Sequence, residues 1–267
     1  MRTRSRPTSP GQPSPSREGG ARGRRPARGG GGLWLYGLHA VAAALANPRR
    51  VYRQLVVTDE GERALQAEFG QALPVRAERA DRQKLDMLCG RDAVHQGVAL
   101  QTELLDAMTV EEGLDHRPGP VLVLDQVTDP RNVGAILRSA AAFGVSFVLV
   151  QDRHAPEETG TLAKAASGAL EIVPMVRVVN IARALSTLQT AGLWVVGLDA
   201  GGGILDGAGF GERRVALVLG AEGEGLRRLT RETCDEIAGV RMSDQMESLN
   251  VSNAAAVALY ELSRGRL

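Results

Sequence analysis

Four nearly unbroken apolar runs mark the second half of the chain: VLVLD (121–125), VSFVLV (145–150), LWVVGLD (193–199) and VALVLG (215–220). A strand buried on one face alternates apolar and polar residues, whereas one buried on both faces reads as a continuous run. These four therefore predict the middle of a sheet covered on both sides. Between them the apolar positions recur at helical spacing, which predicts helices over 133–142, 161–166 and 181–189. Strand and helix in alternation imply an α/β fold with a parallel sheet, and such sheets bind ligands beyond the carboxyl ends of their strands. The loops that follow the apolar runs are where chemistry is expected.

The first half is patterned differently. GLHAVAAALANP (37–48) predicts a helix stopped at Asn47-Pro48, VYRQLVVTD (51–59) a strand, ADRQKLDMLCG (80–90) a helix ending at Gly90, and HQGVALQTE (95–103) a closing strand. Residues 33–105 thus form a small α/β unit of a size that folds alone only marginally. Residues 106–120, acidic and then rich in Pro and Gly, read as a linker, and 121–267 as the larger domain.

Residues 1–32 contain no large apolar side chain after Met1, so they cannot offset the entropy of ordering and are expected to be disordered. This tail holds eight Arg against one Glu, so a chain of formal net charge +1 has an acidic body and a basic end. A non-specific RNA-attracting arm or an inert solvated tail is preferred to a targeting peptide, because dense Pro and Gly oppose the amphipathic helix such peptides form. No run approaches the roughly 20 apolar residues of a membrane span, and a soluble, cytoplasmic protein is expected. Cys89 and Cys234 lie far apart, and His39, His95, His116 and His154 are scattered. Neither a disulfide framework nor a metal centre is expected.

Three loops stand out. DQVTDPRNVGAILRSAAAFG (125–144) leaves the first buried strand and enters a helix that Gly144 is placed to stop. Gly134 and Arg138 lie one turn apart there, which sets a guanidinium over a position with no side chain and leaves room for a phosphate or ribose. The simpler reading, favoured by this segment alone, has Asn132 as the helix cap and Arg138 as a solvated surface residue. LVLGAEGEGLRRL (217–229) runs from a strand into Gly220, Gly223 and Gly225. Its G-x-x-G-x-G spacing is not the dinucleotide fingerprint, and Glu222 and Glu224 would repel a pyrophosphate, so a cofactor that is not a polyanion fits better. In the third, SLNVSNAAAVALYEL (248–262), one cap would satisfy the helix that Val251, Ala254, Ala255, Ala258, Leu259 and Leu262 predict; Ser248, Asn250, Ser252 and Asn253 exceed that need.

Together, in this order, the three segments resemble the SpoU (TrmH) family of RNA ribose 2′-O-methyltransferases. Asn132, Gly134, Arg138, Phe143 and Gly144 match its first motif, LGAEGEG from Leu219 its second, and Met242 with SLNVS from Ser248 its third; KAASGALEIVP (164–174) is similar to a segment the family carries between the first two. YGLHAVAAAL followed by HQGVAL resembles the small amino-terminal RNA-binding domain of a branch that methylates guanosine in large-subunit ribosomal RNA. The resemblance implies a carboxyl-terminal trefoil knot, a homodimer, and S-adenosylmethionine held at Gly220, Val240 and Leu249. It assigns catalysis to Asn132, Arg138, Glu222, Ser248 and Asn250. Where the family's third motif has Pro and Gly, this chain has Arg241 and Asp244, which bears on the loop's shape and cofactor affinity.

Those assignments imply a ribose hydroxyl attacking a sulfonium methyl in line. A guanidinium keeps its proton near neutrality, so Arg138 is expected to clamp a neighbouring phosphate and stabilise developing alkoxide, with Ser248 and Asn250 orienting the ribose and Glu222 or a water taking the proton. A transfer RNA substrate, or an inactive RNA-binding assembly factor on the same fold, are the alternatives. A nucleotide-dependent oxidoreductase is disfavoured by the glycine spacing.

Overall fold

A computed structural model describes residues 32–70, 72–243, 245–246 and 248–264. The expectation of disorder for the basic tail, apart from residue 32, and the departure at Asp244 both fall outside the described residues.

The amino-terminal unit runs β1 (Leu33–Tyr36), α1 (Leu38–Ala46), β2 (Tyr52–Val57), α2 (Asp59–Phe69), β3 (Ala77–Arg79), α3 (Arg82–Cys89), β4 (Val98–Thr102). Its sheet has the order β1-β4-β2-β3, antiparallel except for the β2–β3 pair. β1, β3 and α2 are absent from the sequence reading, and α2 shows why: in DEGERALQAEF only Gly61 and Leu65 are buried, too few to make an apolar stripe. Its cap is legible after the fact, since Thr58 accepts from Gly61 N at 3.0 Å.

Residues 106–120, expected to be an irregular connection, contain one short helix. Thr109 and Glu112 form a reciprocal capping box that starts α4 (Val110–His116). Val110 is buried, and Gly113 lies so close to Phe147 that a Cβ there would come within 2.8 Å of the ring. Seven residues with two inward positions carry too little periodicity to be read as a helix against the Pro and Gly that follow.

The larger unit continues β5 (Val121–Leu124), α5 (Pro130–Ala142), β6 (Phe147–Gln151), α6 (Gly160–Ala166), β7 (Met175–Val178), α7 (Ile181–Thr190), β8 (Trp194–Ile204), β9 (Val215–Leu219), α8 (Arg228–Thr233), β10 (Glu236–Gly239) and α9 (Val251–Ser263). Its six strands are all parallel in the order β10-β8-β9-β5-β6-β7, the α/β parallel sheet the apolar runs predict. Along β5, Leu122 and Leu124 join the core under α5, α6 and α9, while Val121 and Val123 join the core under α7. Burial on both faces is the reason the runs are continuous. β8 extends past its expected end through Gly201, Gly202 and Gly203, where its pairing with β10 shifts register; β7 and β10, short and edge-placed, gave no apolar run.

One apolar cluster includes Leu35, Val41, Leu55 and Leu100 of the small unit together with Leu137, Leu162 and Leu170 of the larger. A buried polar cluster joins the same two units. Arg50, whose side chain has no exposure, gives Nη2–H to Glu171 Oε1 at 2.7 Å and Nη1–H to the Glu103 carbonyl at 2.9 Å. Asn47 Nδ2 donates to Glu171 Oε2 at 2.7 Å, and Glu158 lies 3.8 Å from Arg50. Burial of Glu158 pushes its carboxyl above the usual range, with Arg50 and Arg177 opposing that shift.

Candidate active site

The three loops of interest leave the carboxyl ends of β5, β9 and β10, and all three meet at one carboxylate oxygen. α5 begins at Asp129, whose side chain caps Arg131 N at 2.9 Å, with Pro130 at the first helical position. Asn132 is therefore inside the first turn and is not the cap. Its Nδ2 donates to Glu222 Oε1 at 3.1 Å.

Glu222 is aimed by its loop. After β9 the chain closes on itself, Ala221 N donating to the Gly225 carbonyl at 3.1 Å and Gly225 N to the Ala221 carbonyl at 3.0 Å. A Cβ on Gly220 would lie 2.1 Å from the Gly225 carbonyl, so glycine is required there by the loop's own packing. Gly223 and Gly225 take positive φ, 82° and 67°, to complete the turn.

Asn250 closes the arrangement as the N-cap of α9. Its Oδ1 accepts from Ser252 N at 2.9 Å and Ser252 Oγ at 2.6 Å, while its Nδ2 reaches Glu222 Oε1 at 2.7 Å and Asn132 Oδ1 at 3.1 Å. Val251 N adds a third donor to the same Glu222 oxygen at 3.3 Å. The surplus of polar residues at this helix entrance thus divides: Ser252 shares the capping, and Asn250 caps with one end of its amide while binding Glu222 with the other.

Not every expected residue joins. Ser248 is exposed, with no hydrogen bond to the cluster among the described residues. Arg138 is exposed on α5, six residues beyond Asn132 and about 9 Å farther along the helix axis. The room expected above Gly134 is absent. A Cβ on Gly134 would lie 2.5 Å from Ala165 Cβ and 2.6 Å from the Leu162 carbonyl. That glycine serves the close approach of α6 to α5, because a helix surface without a side chain lets a second backbone come near.

Gly220 and Val240 are half-buried at the ends of β9 and β10, and Met242 and Leu249 are each 38 % exposed at the same end of the sheet. Accessible backbone beside apolar side chains suits a ligand that offers a flat heterocycle and a neutral polar edge. These residues fit the adenosyl part of S-adenosylmethionine.

The sequence reading missed a pair beneath these loops. Asp125, wholly buried at the end of β5, contacts Arg227 Nη2 at 2.6 Å. Neither Asp125 oxygen nor Arg227 Nε has an aligned hydrogen bond among the described residues. The signal was present in VLVLD: a carboxylate closing a doubly buried strand requires a cation. The thiol of Cys234, below α8, is pushed up to about 12 by burial, which leaves it protonated and unreactive.

A model of the SpoU rRNA Methylase family matches residues 119–260, and one for RNA 2′-O ribose methyltransferase substrate binding matches residues 34–107. The chain is 43% identical over 239 residues to the 23S rRNA (guanosine-2′-O-)-methyltransferase RlmB of Ralstonia nicotianae, covering 87% of this chain and 95% of that protein. Against the protein of the same name from Photobacterium profundum it is 39% identical over 243 residues, covering 87% and 97%. The crystal structure of the SpoU methyltransferase AviRb from Streptomyces viridochromogenes in complex with AdoMet matches with a TM-score of 0.71 at 26% identity, over 88% of this chain and 91% of that one.

Proposed function

The chain belongs to the SpoU rRNA methylase family, and from that premise we infer that it transfers a methyl group from S-adenosylmethionine to the 2′-hydroxyl of a guanosine in 23S ribosomal RNA. The observation that carries the enzymatic reading is the convergence of Asn132, Asn250 and the Val251 amide on Glu222 Oε1. The substrate follows from relatives near 40% identity that span almost the whole chain.

S-adenosylmethionine, when bound, supplies a methyl group on a positively charged sulfur. The protein's part is alignment, and alignment alone lowers such barriers by about 7–11 kcal/mol. Glu222 Oε1 already receives three donors, which leaves Oε2 to accept the proton of the ribose hydroxyl. Asn132 and Asn250 hold that carboxylate in place, and Ser248 orients the ribose. Arg138, exposed and free of any ion pair among the described residues, clamps an RNA phosphate and stabilises the developing alkoxide. The backbone at Gly220, Val240 and Leu249 holds the cofactor. None of these roles requires a metal.

The chain acts as a homodimer with a carboxyl-terminal trefoil knot, in the cytoplasm where ribosomes are assembled. Support for the dimer comes from α9, whose outer face exposes Val257 and Tyr260, and Tyr260 packs edge-on to Phe143 at the end of α5. Among the described residues no helix is long and apolar enough to cross a membrane. Mass spectrometry of ribosomal RNA from cells with and without the protein tests the activity. One 2′-O-methylguanosine is expected to disappear when the protein is absent, and an unchanged methylation map overturns the reading.

A further inference from the structure

The glycine loop that carries Glu222 is held from both sides by an ion pair. Leu219, the last residue of β9, pairs with Leu124 on one neighbouring strand and with Leu198 on the other. The next residue on each neighbour is an aspartate, so Asp125 and Asp199 flank the loop where it begins at Gly220. Each meets an arginine from the segment that ends the loop. Arg227, the N-cap residue of α8, places Nη2 2.6 Å from Asp125 Oδ1, and Arg231, one turn further on, pairs with Asp199 Oδ2. The Asp125 side chain has no exposure, and its backbone N–H extends the β5–β9 pairing by donating to the Leu219 carbonyl at 2.8 Å. The loop also packs on Asp199 directly, since a Cβ on Gly225 would lie 3.2 Å from Asp199 Oδ1.

Resting on the reading of Glu222 as proton acceptor, we propose that Arg227 and Asp125, assisted by Arg231 and Asp199, are positioning residues for methyl transfer: they fix the tilt of the glycine loop and so the approach of the Glu222 carboxylate to the ribose hydroxyl. Stability is a weak reason for such pairs, because the cost of taking buried charges out of water offsets much of their attraction and apolar side chains of similar volume often serve as well. What a short charged contact adds is position, since it tolerates little displacement. The loop needs that. Its hydrogen bonds between Ala221 and Gly225 fix its shape but leave its tilt over the sheet to its two ends. One end continues from β9, and the other is Arg227. Asn132, which Glu222 meets at 3.1 Å, lies at the far end of the connection that Asp125 begins. The Asp125–Arg227 contact therefore sets the return of one functional loop against the start of the other. Nothing in this role requires the four side chains to touch substrate, and a misplacement of about 1 Å from a change away from the chemistry costs on the order of 10²-fold in rate.

The test uses the full-length protein, S-adenosylmethionine and an unmodified 23S ribosomal RNA transcript. Arg227→Met is expected to lower kcat by about 10- to 100-fold while KM for the transcript and calorimetric affinity for S-adenosylmethionine stay within about twofold of wild type. Arg227→Lys, which returns a cation to Asp125, is expected to recover part of the loss. Combination with Glu222→Gln tests the route of the effect. A mis-aimed carboxylate costs nothing once the carboxylate is gone, so in that background Arg227→Met should change kcat by less than about twofold. Arg231→Met, at the more exposed pair, is expected to show the same split with a smaller loss in kcat, and it serves as the test if Arg227→Met does not fold. Wild-type kcat in the folded variants, a loss confined to KM, or an equal loss in the wild-type and Glu222→Gln backgrounds overturns the proposal. Wild-type kcat in Glu222→Gln itself removes the proton-acceptor reading instead, and hydrogen exchange then decides the loop's anchoring: faster exchange at residues 220–225 in Arg227→Met, with 145–150 unchanged, supports it, and unchanged exchange overturns it.

Discussion

Asn250 donates from Nδ2 to Glu222 Oε1 at 2.7 Å while its Oδ1 caps α9 through Ser252 N at 2.9 Å. One amide therefore ties a helix N-terminus to the tip of the glycine loop. Glu222→Gln can keep an oxygen for the three donors that meet Oε1 but puts an NH2 where Oε2 is to accept the ribose proton. We expect kcat to fall by roughly 10²–10⁴-fold, the range of a lost acid–base group, with cofactor affinity retained; single-turnover methylation and calorimetry report the two separately.

Arg138 has no ion pair to lose among the described residues. Arg138→Ala should leave folding stability within about 0.5 kcal/mol of wild type, as exposed substitutions do, yet depress methylation strongly. Arg138→Lys should retain part of the activity, because an ammonium still pairs with a phosphate but lacks the forked geometry. Urea melts and initial rates check both, and full activity in Arg138→Ala would exclude Arg138 from the reaction.

Gly134→Ala is expected to destabilise the protein by about 1–3 kcal/mol, the usual range for overpacking. The new methyl meets Ala165 Cβ and the Leu162 carbonyl inside 2.7 Å, and α6 backbone has little freedom to retreat. Denaturant unfolding measures it. No change in the midpoint would mean that α5 and α6 separate at little cost.

Breaking the buried pair between the two units should cost more. Arg50→Ala leaves Glu171, 5 % exposed, without its cation, and uncompensated buried charges typically cost about 3–5 kcal/mol. The replacement of both partners by apolar residues should recover much of the loss, and thermal unfolding of the single and double variants reads the difference.

Glu158 gives stability a pH dependence of definite sign. Its folded carboxyl titrates above the ordinary value of about 4.5 because burial disfavours the charge. Between those two values the folded state holds a proton that the unfolded chain has released, so stability falls as pH rises through the window. Glu158→Gln removes the titration. The stability of wild type relative to this variant should decline from about pH 4.5 upwards and then level off, which urea melts across pH follow directly.

The apolar runs by themselves determined the α/β class and the parallel sheet, because a strand covered on both faces has no position for a polar residue. They could not reveal α2, α4, β7 or β10, where few side chains turn inward and periodicity is correspondingly faint. The glycine loop and the polar helix entrance were visible as anomalies in VLGAEGEG and SLNVS, each holding more special residues than local structure requires. Which of those residues meet was decided only by the tertiary structure. Asn132 and Glu222 are ninety residues apart in the chain, and a distance of 3.1 Å between them depends on β5 and β9 being neighbours in the sheet. The same holds for Gly134, whose spacing from Arg138 implied an open niche until α6 filled it, and for Asp125 and Arg227. A sequence records which side chains need a partner; the strand order decides which partner each one finds.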